Sequence, residues 1–136
     1  MSASPMRIYL DTSALVKLIV AEVESRPLQS FLSARADDSL FSAALARTEL
    51  LRVVAPNGAQ AIADARDLLN RLDTVVLTRQ LLDDAGTLPP LGLRSLDAIH
   101  LVAAQRAGDT LRAVVTYDTR MLSAAADLGV PTASPR

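Results

Sequence analysis

Four acidic side chains stand where carboxylates could bind a metal ion. Asp11 and Asp118 each follow a short apolar run typical of a strand, whereas Glu49 and Asp97 lie in helix-forming segments. Carboxylate oxygens suit Mg²⁺ and Mn²⁺, and Mg²⁺ commonly keeps water and takes a substrate phosphate as well. Such an ion polarises a phosphoryl group and lowers the pKa of an attacking water. The four acids therefore indicate phosphodiester hydrolysis without a side-chain nucleophile.

An α/β fold would bring these acids together. Short apolar runs predict strands at 7–10, 39–41, 74–77 and 113–116, with a weak fifth candidate at 130–133. Amphipathic patterns predict helices at 12–20, 25–35, 43–55, 58–72, 79–86, 95–107 and 119–128. Because strands and helices alternate at this spacing, we predict one domain over residues 1–136, with a central parallel sheet of four to five strands between two layers of helices (α/β/α).

The predicted sheet places the acids at one edge. Asp11 and Asp118 stand just past the carboxyl ends of two strands, and the helix that carries Glu49 leaves the same edge. Asp97 lies in the first turn of its helix. Ligands of open α/β sheets bind in the crevice at this edge. Carboxylates brought so close must take up protons or bind a cation. Because we expect no lysine or histidine among these acids, a bound metal ion is the simplest way to neutralise their negative charge.

Each acid taken alone also has a structural explanation. Asp11 and Asp118 could cap helices, Asp97 could interact with a helix dipole, and Glu49 could be solvated. The joint pattern favours a shared site. His100 follows Asp97 by three positions on the same helix face, and we interpret it as a buried, hydrogen-bonded residue. We interpret Lys17, the only lysine, as solvated.

The composition excludes several kinds of site. The chain has no cysteine and one histidine, so disulfides, thiolate sites and multi-histidine metal sites are ruled out. A formal net charge of -1 provides no general attraction to nucleic acid. Its apolar runs are too short to span a membrane, and the start "MSASPMR" lacks the apolar core of a signal peptide, so we expect a cytoplasmic protein. The high alanine and leucine content of so small a chain leaves apolar surface for a partner, so we expect a homodimer, a bound regulator, or both.

The same segments carry a family resemblance. The stretches "YLDTSALVKL", "SAALARTELL", "LRSLDAIHLVAA" and "VVTYDTRML" occur in this order over nearly the whole chain. Together they resemble the PIN-domain fold, and specifically the VapC-type ribonuclease toxins of bacterial toxin-antitoxin pairs. The acid site of that family maps onto Asp11, Glu49, Asp97 and Asp118, and the candidate supporting hydroxyls are those of Ser13 and Thr116.

The resemblance implies a function and its partners. It implies a Mg²⁺- or Mn²⁺-dependent endoribonuclease that arrests translation by cutting a structured RNA, commonly a transfer RNA or a ribosomal RNA loop. It also implies a homodimer and a cognate VapB-type antitoxin. Because the chain is slightly acidic, RNA must be bound through a local arginine patch. The candidates, all expected near the site, are Arg94, Arg112 and Arg120.

Three alternatives fit less well. A receiver-type signalling domain would need adjacent acids after the first strand and a lysine after the last, but "TSA" follows Asp11. A phosphatase with an aspartyl nucleophile would need a second acid at position 13, which is serine. A catalytically idle PIN-like interaction domain remains an alternative, because four acids in the right places show that a metal could bind and do not show that RNA is cleaved.

Overall fold

A five-stranded parallel sheet forms the centre of the protein. The computed structural model describes residues 5–136. Its strands are β1 (Arg7–Leu10), β2 (Ser39–Ala43), β3 (Asp73–Val75), β4 (Leu111–Val115) and β5 (Thr132–Ala133). They pair in the order β3-β2-β1-β4-β5, and every neighbouring pair is parallel. The carboxyl ends of the central β1 and β4 therefore lie side by side, with Leu10 opposite Val115.

Seven α-helices within residues 5–136 flank the sheet. They are α1 (Thr12–Val16), α2 (Ser25–Ser33), α3 (Leu45–Val54), α4 (Ala59–Arg71), α5 (Arg79–Gly86), α6 (Ser95–Gln105) and α7 (Thr119–Asp127). Each predicted helix is present, but α1 ends four residues early. Its last turn tightens there, since Leu18 and Ile19 donate to carbonyls three residues back rather than four. No helix in this part of the chain is long and apolar enough to cross a membrane.

The strands divide the core into two halves. Along β1, Ile8 and Leu10 point to one face and Tyr9 to the other, and all three are fully buried. The first face packs against Leu15 of α1 and Leu50 of α3. Tyr9 packs on the opposite face with Phe41, Leu81 of α5 and Val102 of α6, which together form a second core. The predicted three-layer α/β/α architecture is confirmed.

Helix α6 is buried over most of its length. Small residues, Ala98, Ala103 and Ala104, let it approach the sheet closely. Asp97 and His100 are buried in the same helix. Polar groups in such a position need partners, and their partners lie at the carboxyl edge of the sheet. The single-domain boundary, 1–136, stays a prediction, and its first four residues lie outside the described part.

Candidate active site

One cavity at the carboxyl edge of the sheet contains all four predicted acids. Its volume is about 340 Å³. It is lined by Asp11, Thr12, Ser13, Glu49, Arg94, Ser95, Leu96, Asp97, His100 and Asp118. The expected convergence of Asp11, Glu49, Asp97 and Asp118 on one crevice is therefore observed. A larger cavity, of about 810 Å³, lies near the opposite edge and contains none of them.

Asp11 is the most enclosed acid. It follows β1 directly and caps α1, because its Oδ1 accepts the Ala14 N–H at 3.1 Å. Ser13 Oγ donates to Oδ1 at 2.6 Å, and Thr116 Oγ1 donates to Oδ2 at 2.5 Å. Burial raises the pKa of the Asp11 carboxyl, although the two hydroxyls, His100 and the Ala14 N–H oppose that rise. Both predicted supporting hydroxyls thus contact the acid that needs them most.

The same hydroxyls fix the segment after β4. Ser13 Oγ accepts the Tyr117 N–H at 2.9 Å, and Thr116 Oγ1 accepts the Asp118 N–H at 3.1 Å. The hydroxyls themselves are 3.3 Å apart. Backbone N–H groups at a strand end need acceptors, and here two side chains of the site supply them. The position of Asp118 is therefore tied to that of Asp11.

Glu49 projects from α3 into the cavity and accepts two hydrogen bonds. Thr12 Oγ1 and His100 Nε2 each lie 2.7 Å from Glu49 Oε1. Partial burial raises the pKa of Glu49, but these two hydrogen bonds and the electrostatic attraction of the His100 ring outweigh burial, so the net pKa is lowered. Sequence reasoning missed Thr12. The feature of the sequence that could have indicated Thr12 as a site residue is its position next to Asp11.

His100 is both a packed core residue and part of the cavity wall. Its Nδ1 lies 2.5 Å from the Tyr9 hydroxyl, and its ring packs edge-on against that of Tyr9. The interpretation of His100 as a buried, hydrogen-bonded residue is confirmed. Its contact with Glu49 was not predicted. The feature of the sequence that could have indicated this contact is the position of His100, one helical turn after Asp97.

Arg94 joins the other two acids. Its Nε donates to Asp97 Oδ2 and its Nη2 donates to Asp118 Oδ2, both at 3.1 Å. Asp118 also caps α7, since its Oδ1 accepts the N–H groups of Arg120 and Met121. The four acids are thus neutralised or hydrogen-bonded by side chains of the protein itself.

This pairing corrects one step of the sequence argument. We expected no lysine or histidine among the acids, but His100 lies against Glu49 and Arg94 bridges Asp97 and Asp118. Within residues 5–136, no group of three or more acidic or histidine side chains is close enough together to hold a metal ion. The acids share a cavity, yet they are divided into separately paired groups.

The predicted arginines and Lys17 occupy different places. Arg94 lines the cavity, and Arg120, the second residue of α7, lines a neighbouring groove that also includes Arg94. The expectation that Arg112 lies near the site is wrong. It is the second residue of β4, ~13 Å of strand before Thr116, and it pairs with Asp38 at the amino edge of the sheet. Lys17 is not solvated, because it is largely buried in an ion pair with Glu24 at 3.0 Å.

Sequence comparisons identify the family. Residues 8–127 match the PIN domain. Over 131 residues the chain is 45% identical to the ribonuclease VapC47 of Mycobacterium tuberculosis, an alignment that covers 94% of this chain and 96% of the relative. It is also 45% identical over 128 residues to ribonuclease VapC46 of the same organism, covering 94% and 97%. Ribonuclease VapC35 of that organism is 43% identical over 133 residues, covering 94% and 96%.

The fold has a solved counterpart. The crystal structure of Mycobacterium tuberculosis VapC20, described as a sarcin-ricin loop cleaving toxin, superposes with a TM-score of 0.74 and covers 94% of this chain and 99% of that one. At 15% identity, this likeness shows the fold alone. The receiver-type alternative is wrong, because the PIN domain match spans most of the chain. The protein is a member of the PIN domain family and belongs there with the VapC ribonucleases.

Proposed function

We propose that this chain is a metal-dependent endoribonuclease that acts as the toxin of a toxin-antitoxin pair. One observation carries the proposal: Asp11, Glu49, Asp97 and Asp118 line a single cavity at the carboxyl edge of the sheet. Relatives named ribonucleases, at 43–45% identity over 94% of the chain, support the same activity. The proposed substrate is a structured RNA, either a transfer RNA or a ribosomal RNA loop, whose cleavage inhibits translation.

The donor set fits a hard divalent cation. The cavity offers carboxylate and hydroxyl oxygens, and the chain has no thiolate that would select a softer metal. We assign Mg²⁺ or Mn²⁺ to Asp11, Glu49, Asp97 and Asp118. A bound ion would polarise the scissile phosphate and lower the pKa of a water. The ion pairs of Arg94 must open for all four acids to take part.

The protein's own residues prepare the site in distinct ways. Ser13 and Thr116 hold both oxygens of Asp11 in place, so that acid needs little reorganisation. Glu49 stays ionised at neutral pH because its pKa is lowered, and it is the acid placed to accept a proton from the attacking water. Arg94 and Arg120 are the proposed phosphate contacts, because Arg94 lines the cavity and both arginines line the groove next to it.

The proposed partners follow from the family and from the surface. The proposed partners are an RNA substrate and a cognate VapB-type antitoxin, and the proposed location is the cytoplasm; relatives named ribonucleases support the RNA substrate. Large apolar side chains are exposed at Val23, Val76 and Leu91, which supports a protein partner or a homodimer. Arg112 does not serve as an RNA contact near the site, because it pairs with Asp38 at the amino edge of the sheet.

The first test is cleavage of total bacterial RNA. The purified chain, freed of any co-purifying protein, is incubated with RNA in Mg²⁺, Mn²⁺ or EDTA, and the new ends are mapped. The Asp11→Asn variant serves as the inactive form, and Arg106→Ala, which opens a remote surface ion pair with Asp84, serves as the matched control. Discrete cuts that need both metal and Asp11, and persist in the control, establish the activity and name the substrate.

A second candidate is a catalytically idle PIN-like interaction domain. The observation that favours it is the pairing of the acids with Arg94 and His100, since an acid set neutralised by its own protein needs no metal. The same experiment separates the two candidates. An absence of cuts in either metal, with the protein folded, favours the idle domain.

A further inference from the structure

Arg94 occupies an unusual place among the cations of this protein. Its planar guanidinium spans two acids of the cavity and donates one hydrogen bond to each, at 3.1 Å. Its side chain is 58% exposed, whereas those of Asp97 and Asp118 are 11% and 27% exposed. The acids are thus held in the wall of the site, and the arginine covers them from the solvent side.

Little else holds the guanidinium there. Among residues 5–136, the Arg94 side chain has no hydrogen-bond partner besides these two carboxylates. Exposed ion pairs are weak, because water screens them and because ordering a long side chain costs entropy. Arg94 is therefore able to leave the acids without disturbing the core.

A second groove lies on the other side of Arg94. It has a volume of about 370 Å³, and its polar lining comprises Arg94, Arg120, Thr119 and Ser123 together with one acid, Asp127. Arg120 is exposed there. Two guanidinium groups and two hydroxyls outnumber the single carboxylate and suit a phosphate, and arginine binds phosphate in the same bidentate way that it binds carboxylate. A guanidinium released from the acids would thus remain beside a surface on which a phosphate could replace them.

We propose that Arg94 exchanges partners during the reaction. Without metal, it neutralises Asp97 and Asp118. When a divalent cation takes these carboxylates, Arg94 is released and contacts a phosphate of the RNA in the groove that contains Arg120. The exchange rests on the proposed function and extends it, because it couples metal binding to substrate binding through one residue. The physical reason is that the guanidinium and the cation compete for the same oxygens and repel each other at short range.

The first experiment measures metal binding alone. Mn²⁺ is titrated calorimetrically, without RNA, into the wild type and the variants Arg94→Ala, Arg94→Lys and Arg106→Ala. We expect Arg94→Ala to bind Mn²⁺ about fivefold more tightly, the factor that corresponds to losing two weak ion pairs made by a largely exposed arginine. The Mn²⁺ affinity of Arg94→Lys should lie between those of the wild type and Arg94→Ala, since a lysine ammonium cannot bind both carboxylates as the planar guanidinium does. Arg106→Ala matches the wild type, because that pair lies ~18 Å away at the other end of α6.

The second experiment measures the phosphate contact. Cleavage of a total bacterial transfer RNA mixture is followed at several salt concentrations and saturating Mn²⁺. We expect Arg94→Ala to raise KM more than it lowers kcat. The slope of log KM against log salt should also flatten by about 0.7, the contribution of one phosphate contact on a single strand. A residue with only a structural role would not change that slope.

The outcomes separate the two proposals. If the wild type cleaves RNA in Mn²⁺ but Arg94→Ala binds Mn²⁺ no more tightly than Arg106→Ala, the exchange is wrong and the ribonuclease proposal stands. An unchanged salt slope in Arg94→Ala likewise overturns the phosphate contact. If the folded wild type neither binds Mn²⁺ nor cleaves RNA, the proposed function is wrong, and the exchange that rests on it is wrong as well.

Discussion

His100 Nε2 lies 2.7 Å from Glu49 Oε1 and connects the cavity to the centre of the sheet. On the other side of the ring, Nδ1 faces the Tyr9 hydroxyl, whose oxygen already accepts the Ala43 N–H at 3.2 Å. An ionised Glu49 carboxylate can only accept, so Nε2 carries a ring hydrogen, and in the neutral ring Nδ1 is left to accept the Tyr9 proton. Tyr9 of β1 and His100 of α6 thus fix the direction in which Glu49 of α3 points.

Replacing His100 should reduce cleavage by releasing Glu49. In His100→Ala, Glu49 loses a donor and Tyr9 loses its acceptor. We expect kcat to fall about 10- to 100-fold, the range typical when a residue that orients a metal ligand is removed. His100→Gln is the matched control, because its amide can still donate to Glu49. Equal cleavage by the Ala variant and the wild type would restrict His100 to packing.

Removing the Tyr9 hydroxyl should destabilise the fold. Tyr9→Phe keeps the ring, which packs edge-on against Phe41 at a centroid distance of 5.1 Å. It leaves the buried Ala43 N–H and His100 Nδ1 without their partner. We expect the free energy of unfolding, measured in urea, to fall by about 1–3 kcal/mol. A loss below about 0.5 kcal/mol would mean that water or a repacked side chain replaces the hydroxyl.

The sequence was informative about the strand-end acids for a physical reason. A parallel sheet forces the carboxyl ends of its strands to one edge, so Asp11 after β1 and Asp118 after β4 had to meet whatever the details of packing. The length of β1 was also predicted correctly, because Asp11, which follows "RIYL" directly, caps the next helix and so ends the strand. These features depend on local pattern and topology alone.

The sequence could not show how the acids are paired. Glu49 and His100 are 51 residues apart, and their contact depends on how α3 and α6 sit against the sheet. The bridge from Arg94 to Asp118 likewise depends on a rotamer. Only the Arg94 to Asp97 pair had a local signal, its three-residue spacing at a helix start. Arg112 was misplaced although it precedes the predicted strand 113–116, because residues before a parallel strand lie at the amino edge of the sheet, opposite the acids.

The Asp38 to Arg112 pair should contribute to stability in a pH-dependent way. Hydrogen bonds from Arg112, and from the Met6 N–H, hold the pKa of Asp38 below its usual value despite some burial. A lowered folded-state pKa stabilises the fold above the unfolded value, ~3.9, and that contribution is lost as pH falls through the folded pKa. The Tm of the wild type should therefore decline more steeply below pH ~4 than that of Asp38→Asn. Asp37→Asn is the control, and parallel Tm curves for wild type and Asp38→Asn would contradict the prediction.

Asp118 has two roles that substitution should separate. Its Oδ1 caps α7 through the Arg120 N–H at 2.8 Å, and its Oδ2 faces Arg94 in the cavity. Asparagine is as good an N-cap as aspartate, so Asp118→Asn should keep the free energy of unfolding within about 0.5 kcal/mol of the wild type, whereas Asp118→Ala should lose about 1 kcal/mol. Both variants should lose cleavage and weaken Mn²⁺ binding about 10-fold or more, because neither supplies a carboxylate. Urea unfolding and Mn²⁺ titration of the pair check this, and full cleavage by Asp118→Asn would leave Asp118 as a helix cap alone.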